Sequence, residues 1–281
     1  AVMMPRGSAA VRGEQLAALD SECHALLTTQ RVSRLLERAQ AMEGQLEDWQ
    51  LANLREMRRE RDRAIATSLS LVGRLARATA VAEVRWLEAK QENNFALFAP
   101  HLAEVIAATR EKAQALSQAL GIAPYDALID GFSPGFLSAE IDQLFRVMSR
   151  RLPGLIRDAI ELQARRPPLP LLGKVSPSKQ RALAIEVMRA LGFPFDRGRL
   201  DESDHPFTEG VNGDVRVTTR FVPQEPFAGL MGALHETGQA LYDLGLPEGW
   251  RDQPVGRDRG MALEESQSLL LEMIIGRSRP F

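Results

Sequence analysis

His235-Glu-Thr-Gly-Gln239 offers more chemistry than any other stretch of this chain. Positions i and i+4 lie on one face of a helix, so two ligands at that spacing can grip one metal ion while a Glu beside the first serves as general base. The H-E-x-x-H pattern does this with two imidazoles, and here the second is replaced by Gln239. A neutral amide oxygen is a poorer zinc ligand than an imidazole nitrogen. A catalytic zinc takes three protein ligands and keeps one position open. On the following helix Glu265 could supply a carboxylate oxygen, and Glu236 would take a proton from water. The same residues also suit a surface helix with one hydrogen-bonded histidine and a polar Gln. His205, within Asp204-His-Pro-Phe207, taken alone anchors a loop. Asp214, Arg216, Thr218 and Arg220 taken alone form the exposed polar face of an edge strand. Cys23-His24 has no further ligands nearby and reads as helix filler.

These residues need helices and at least one strand to position them. The His235 helix spans about Ala228 to Leu244, after the linker ending at Pro226, and Gly245 and Pro247 stop it. The last helix runs from about Gly260 to Gly276 and holds Glu264, Glu265 and Glu272. In Asp214–Phe221, Val215, Val217, Thr219 and Phe221 alternate with Arg216, Thr218 and Arg220, the period of a strand. Such a strand implies a hairpin partner, for which Arg197–Phe207 is the candidate. Ser176-Pro177 reads as an N-cap with proline at the first helical position. Leu183, Val187 and Leu191 form that helix's buried stripe, and Gly192 closes it. Before it, Arg165–Pro170 is a short stiff connection. A helix starting near Ser138 carries Leu144, Val147 and Met148, and Pro153 should kink or end it.

Gly121–Gly135, punctuated by Pro124, Gly131 and Pro134, reads as a break. From Gly13 to Leu120 nearly every residue is a helix former, which predicts three or four long antiparallel helices. Leu69, Val72 and Leu75, then Leu102, Ile106 and Leu116, mark their stripes, and Trp49 and Trp86 are assigned to the core. Arg55, Arg58, Arg59, Arg61 and Arg63 interleave with Glu56, Glu60 and Asp62, as on a solvated, ion-paired face. The expected organisation is a long-helix region over 1–120 and a metal-site region over 121–281, in one continuous domain.

At 281 residues the chain can bury a large core. With 44% apolar residues, 26% charged and a net charge of −2, it lacks the electrostatic footprint of a nucleic-acid binder. A single cysteine, Cys23, excludes an internal disulfide and fits a reducing compartment. No apolar run approaches the roughly 20 residues of a membrane span. Ala1–Ser8 lacks the apolar block of a secretory signal, so the cytoplasm is expected.

Several segments in order carry a resemblance: Gly198-Arg-Leu-Asp201, His205-Pro-Phe207, Asp214–Arg220, His235–Tyr242 and Glu264-Glu-Ser-Gln-Ser268. Upstream, Trp86 with Ala89-Lys90, Asn94-Phe95, Tyr125–Leu128 and Pro134-Gly135 extend it. Together they resemble the carboxypeptidase Taq family of zinc metallocarboxypeptidases. The resemblance implies an all-α, saddle-shaped fold with a small β-sheet beside the active-site groove. It also implies homodimers and the removal of single residues from peptide C-termini. By position it makes His235 and Glu265 zinc ligands, puts Gln239 where the family has its second zinc histidine, and makes Glu236 the general base. His205, Asp214, Arg216, Thr218 and Arg220 would line the groove. Glu264 stands where the family has a histidine beside the distal ligand. The family continues beyond the position of Phe281, which implies a fragment or a form without those later functions. The alternatives are a catalytically silent relative that binds peptides or a partner in the same groove, or a dimer-forming structural module.

Overall fold

The computed structural model describes residues 8–165, 173–203, 205–211 and 213–281. Ala1–Gly7, most of the connection expected at Arg165–Pro170, and Asp204 lie outside the described residues. Ala1–Leu128 with Asp252–Val255 forms one compact unit, and Ile129–Arg251 with Gly256–Phe281 forms another. The architecture is mainly helical with one small sheet.

Among the described residues before 121 the first unit holds α1 (Ala9–Leu27), α2 (Gln30–Ala41), α3 (Asp48–Ala66), α4 (Leu69–Glu92) and α5 (Phe95–Leu120), the 12-residue α2 standing beside four long helices of 19 to 26 residues where three or four were expected. Capping residues, with no proline involved, cut this run. The Thr29 side chain accepts from the Val32 amide, Ser68 from Leu71 and Asn94 from Ala96, while Asn93 ends α4 at φ 49°. Each cap satisfies an amide that a helix start leaves unpaired. The core positions include Ala17, Leu54, Leu71, Ala82, Ala89, Ala108, Ala113 and Leu116. Leu69 and Ile106, assigned to the stripes, are 47% and 41% exposed. Trp49 and Trp86 are exposed too, and Lys90 sits 5.1 Å from the Trp86 ring centroid. Their amphipathic rings favour a half-wet site over a packed one. On α3, Arg59 pairs with Glu56 at 3.6 Å and Arg61 with Asp62 at 4.0 Å. His24 Nε2 contacts the carbonyls of Ala64 at 2.9 Å and Thr67 at 2.7 Å, tying α1 to the end of α3.

The expected break at Gly121–Gly135 contains a helix, α6 (Pro124–Phe132), because a proline at its start costs no hydrogen bond. α7 (Ser138–Ala164) runs through Pro153, and Leu144, Val147 and Met148 on it are exposed. α8 (Pro177–Ala190) starts at the expected N1 proline and ends at Gly192 with φ 90°. Its buried face is Gln180, Ala184 and Met188, whereas Leu183 is 52% exposed, so the stripe lies one position on from the one expected. Gln180 Nε2 donates to the carbonyls of Val175 and Val222 at 2.8 and 2.9 Å, which explains a polar group on that face.

Strands β1 (Gly198–Glu202), β2 (Phe207–Val211) and β3 (Asp214–Thr219) form one sheet in the order β1-β3-β2. The hairpin partner expected at Arg197–Phe207 is thus corrected: that segment supplies the parallel strand β1, and only Phe207 of it belongs to the hairpin partner β2. β1 pairs parallel to β3 with Leu200 opposite Val217, while β2 is the antiparallel hairpin partner with Thr208 opposite Val217. Gly213, at φ 88°, lies in the tight connection from β2 to β3. Leu200, Val215, Val217 and Phe221 pack against Ala184, Met188, Phe193, Ala233 and Ala240 in one core. No helix among the described residues is long and apolar enough to cross a membrane.

Candidate metal centre

Pro226 at the first turn begins α9 (Pro226–Leu244), and Gly245 caps its end. The side of α9 bearing Ala233 and Ala240 is held on the sheet's core. Its other neighbour is α10 (Met261–Leu269), which continues as a π-helical segment over Leu270–Ile275. Gly238 sets how close these helices come. A Cβ there would lie 2.6 Å from the Gln267 carbonyl oxygen and 2.6 Å from Ser268 Cα. The missing side chain lets the α10 backbone approach, bringing Glu265 within reach of α9.

Three predicted metal-site residues then meet. His235 Nε2 lies 3.2 Å from Glu265 Oε2, and Gln239 Nε2 donates to Glu265 Oε1 at 3.3 Å. The other imidazole nitrogen, Nδ1, lies 3.1 Å from Glu272 Oε2. A neutral imidazole carries one ring proton, so only one of those two contacts can be an N–H···O bond. With the proton on Nδ1, bonded to Glu272, the Nε2 lone pair faces Glu265, and a cation between them removes the repulsion. The 3.2 Å separation of Nε2 and Oε2 matches the edge of a tetrahedron, about 3.3 Å, built from bonds of about 2.0–2.1 Å. Gln239 can turn its amide to present oxygen. Among the described residues no three His, Cys, Asp or Glu side chains gather as a metal-holding group. The residues present nonetheless fit a divalent ion, with two strong ligands and one weak oxygen donor.

Glu236 is 5% exposed. The Thr208 hydroxyl on β2 lies 2.8 Å from Oε2 and 2.9 Å from the Glu236 carbonyl oxygen, and its single proton is shared between these two acceptors. Burial pushes the Glu236 carboxyl above the ordinary carboxylate range. The Thr208 hydrogen bond and the nearby His235 and His205 oppose the rise, and Glu265 adds to it. Glu264 is also raised, first by burial and then by Asp243, Asp258 and the site carboxylates.

A cavity of about 660 Å³ opens over these groups, lined among others by His205, Phe227, Met231, His235, Glu236 and Arg277. Of the five residues assigned to a groove, only His205 lines it. Asp214 and Arg216 form an exposed ion pair at 2.8 Å, and Arg220 is exposed. Thr218 is buried, taking a hydrogen bond from the Phe207 amide at 3.1 Å, and so supports the His205 turn from beneath. Sequence reasoning gave no role to Glu272, Thr208 or Arg277. Glu272 had a signal: it follows Glu265 by seven residues, about two helical turns, and so shares its face. Thr208 and Arg277 had none.

A His-Glu pair on one helix and a carboxylate on the next, facing a common cavity, define the helix-borne type of metallohydrolase site. The comparisons give the family. The family model described as carboxypeptidase Taq (M32) metallopeptidase matches residues 1–281, and this chain belongs to that family. Thermostable carboxypeptidase 1 of Thermus thermophilus is 37% identical over 291 residues, covering 99% of this chain and 57% of that protein. Carboxypeptidase 1 of Bacillus subtilis is 36% identical over 202 residues, covering 71% of this chain and 40% of that protein. The solved structure of Trypanosoma cruzi metallocarboxypeptidase 1 superposes with a TM-score of 0.87 at 37% identity, covering 98% of this chain and 56% of that one. The chain thus spans a little over half the length of the first of these relatives.

Proposed function

We propose that this chain carries the metal site of a metallocarboxypeptidase that releases C-terminal residues from peptides. Family membership supports this reading, and one observation carries it: His235 Nε2 and Glu265 Oε2 stand 3.2 Å apart in the cavity, with Glu236 the next residue along the helix. His235 and Glu265 would hold a divalent ion, zinc by resemblance, with Gln239 as a third, oxygen ligand. When bound, such an ion polarises the scissile carbonyl and lowers the pKa of water. Glu236 accepts the proton from the attacking water and returns it to the leaving amine. Its carboxylate is held by the Thr208 hydroxyl, and burial makes it more basic than an ordinary glutamate. Phe227 and Met231 offer apolar surface to a substrate side chain. Peptides are the proposed partners, a homodimer the proposed assembly and the cytoplasm the proposed compartment.

Release of free amino acids from unblocked and C-terminally amidated peptides tests the reading. Weak release from unblocked peptides alone, lost with a chelator and in Glu236→Gln, is expected. A second reading, a silent family member that binds peptides, is favoured by Gln239 in place of an imidazole. Peptide binding without bound metal or turnover would select it.

A further inference from the structure

Arg277 lies at the cavity, outside every assigned role. Its Nη2 donates to Glu272 Oε1 at 3.0 Å, and the other oxygen of that carboxylate meets His235 Nδ1 at 3.1 Å. The guanidinium, Glu272, His235 and Glu265 therefore form one continuous line of contacts ending where the metal would sit. Helix geometry makes this pairing unusual. In an α-helix a residue five positions along lies about 140° around the axis, too far to pair. The π-helical segment Leu270–Ile275 ends just before Arg277, its last i to i+5 bond running from the Gly276 amide to the Leu271 carbonyl at 2.8 Å, so Arg277 stands in the following turn, from which its side chain reaches Glu272. Gly276 completes the turn, since a Cβ there would lie 2.8 Å from the Glu272 carbonyl oxygen and 2.8 Å from Leu234 Cδ1.

We propose that Arg277 is a positioning residue for the metal centre. By engaging Oε1 it holds Glu272 so that Oε2 accepts the His235 Nδ1–H, which leaves Nε2 unprotonated and aimed at Glu265. The proposal rests on the reading of His235 and Glu265 as metal ligands. Two effects of removing Arg277 oppose each other. The lost positive charge favours a bound cation, but the guanidinium is 56% exposed and solvent screens it. The lost clamp frees Glu272, only 17% exposed, to rotate and His235 to change tautomer. Disturbing a partner of a metal-bound histidine typically lowers affinity about 10–100-fold. Positioning therefore outweighs repulsion.

The test is zinc affinity, measured against a fluorescent chelator, for wild type, Arg277→Ala, Arg277→Lys, Glu272→Gln and the Arg277→Ala/Glu272→Gln pair. Glu272→Gln should weaken zinc about 10–100-fold, and Arg277→Ala about 3–10-fold. The double variant should be no weaker than Glu272→Gln alone, because both changes break one line of contacts. Arg277→Lys should recover part of the loss, keeping the charge without the planar fork. Tighter zinc in Arg277→Ala, or additive losses in the double variant, would overturn the proposal. A readout without metal runs beside it: ¹⁵N NMR of the His235 ring in metal-free protein at alkaline pH. The Nδ1–H tautomer should dominate in the wild type and mix with the Nε2–H form in Arg277→Ala. Identical tautomer populations would also overturn the proposal. If the wild type binds no zinc, the functional reading fails and the tautomer comparison still decides the role of Arg277.

Discussion

Gly238→Ala places a methyl group where α9 and α10 touch, and two effects then compete. In a helix, Ala is favoured over Gly by about 1 kcal/mol. Against this, the new carbon would lie 2.6 Å from the Gln267 carbonyl oxygen and Ser268 Cα and 2.8 Å from the Ser268 nitrogen. Ordinary contact needs about 3.5 Å, so α10 must retreat by roughly 0.9 Å. All three neighbours are backbone atoms, and no side-chain rotation relieves them. Overpacking of this kind costs about 1–3 kcal/mol, occasionally more. A net loss of up to about 2 kcal/mol is therefore expected, seen as a fall of up to several degrees in Tm. The same retreat stretches the 3.2 and 3.3 Å contacts of Glu265 with His235 and Gln239, and zinc affinity should drop about tenfold or more. Gly154→Ala in α7 is the control, since nothing lies within 4 Å of its Cβ and helix propensity alone should stabilise it. Thermal unfolding and competitor titration of both variants decide the matter. A Gly238→Ala protein as stable as Gly154→Ala, with wild-type zinc affinity, would refute the close-approach account.

Gln239→His supplies an imidazole at a position already facing Glu265 and should tighten zinc about 10–100-fold in the same titration; equal affinities would mean residue 239 does not reach the metal. Because burial raises the Glu236 carboxyl in the folded state, the folded protein holds that proton more tightly than the unfolded chain does. Stability from this group is thus complete below the unfolded value of about 4.3 and declines as pH rises through the folded value. Metal-free Glu236→Gln should accordingly be more stable than wild type at pH 8 and indistinguishable below pH 4; denaturant midpoints at both pH values check the sign. Thr208→Val removes the hydroxyl bonded to Glu236 Oε2, so the carboxyl rises further and the acid limb of any peptidase profile moves to higher pH.

The sequence by itself was enough to place α9 and the helix after it, since Pro226, Gly245 and Gly260 punctuate them and residues 235, 236 and 239 have fixed angular relations on a helix. It was likewise enough for β3, whose period of two is a local property, and for the family, whose motifs are read in order along the chain. Which face meets which neighbour was not local. Leu71, not Leu69, is buried on α4, and Ala184 with Met188, not Leu183, faces the sheet from α8. In both helices apolar residues sit on more than one face, so periodicity could not choose between them. The parallel pairing of β1 depends on a crossover that no turn signal encodes. The site shows the same division. His235, Glu236 and Gln239 share one helix and were legible together, whereas Thr208 arrives from β2, and Arg277 from the turn that follows the π-helical segment. Their contacts depend on distances between elements. Those distances are set by what is missing at Gly238 and Gly276 as much as by the side chains present, and only the folded packing determines them.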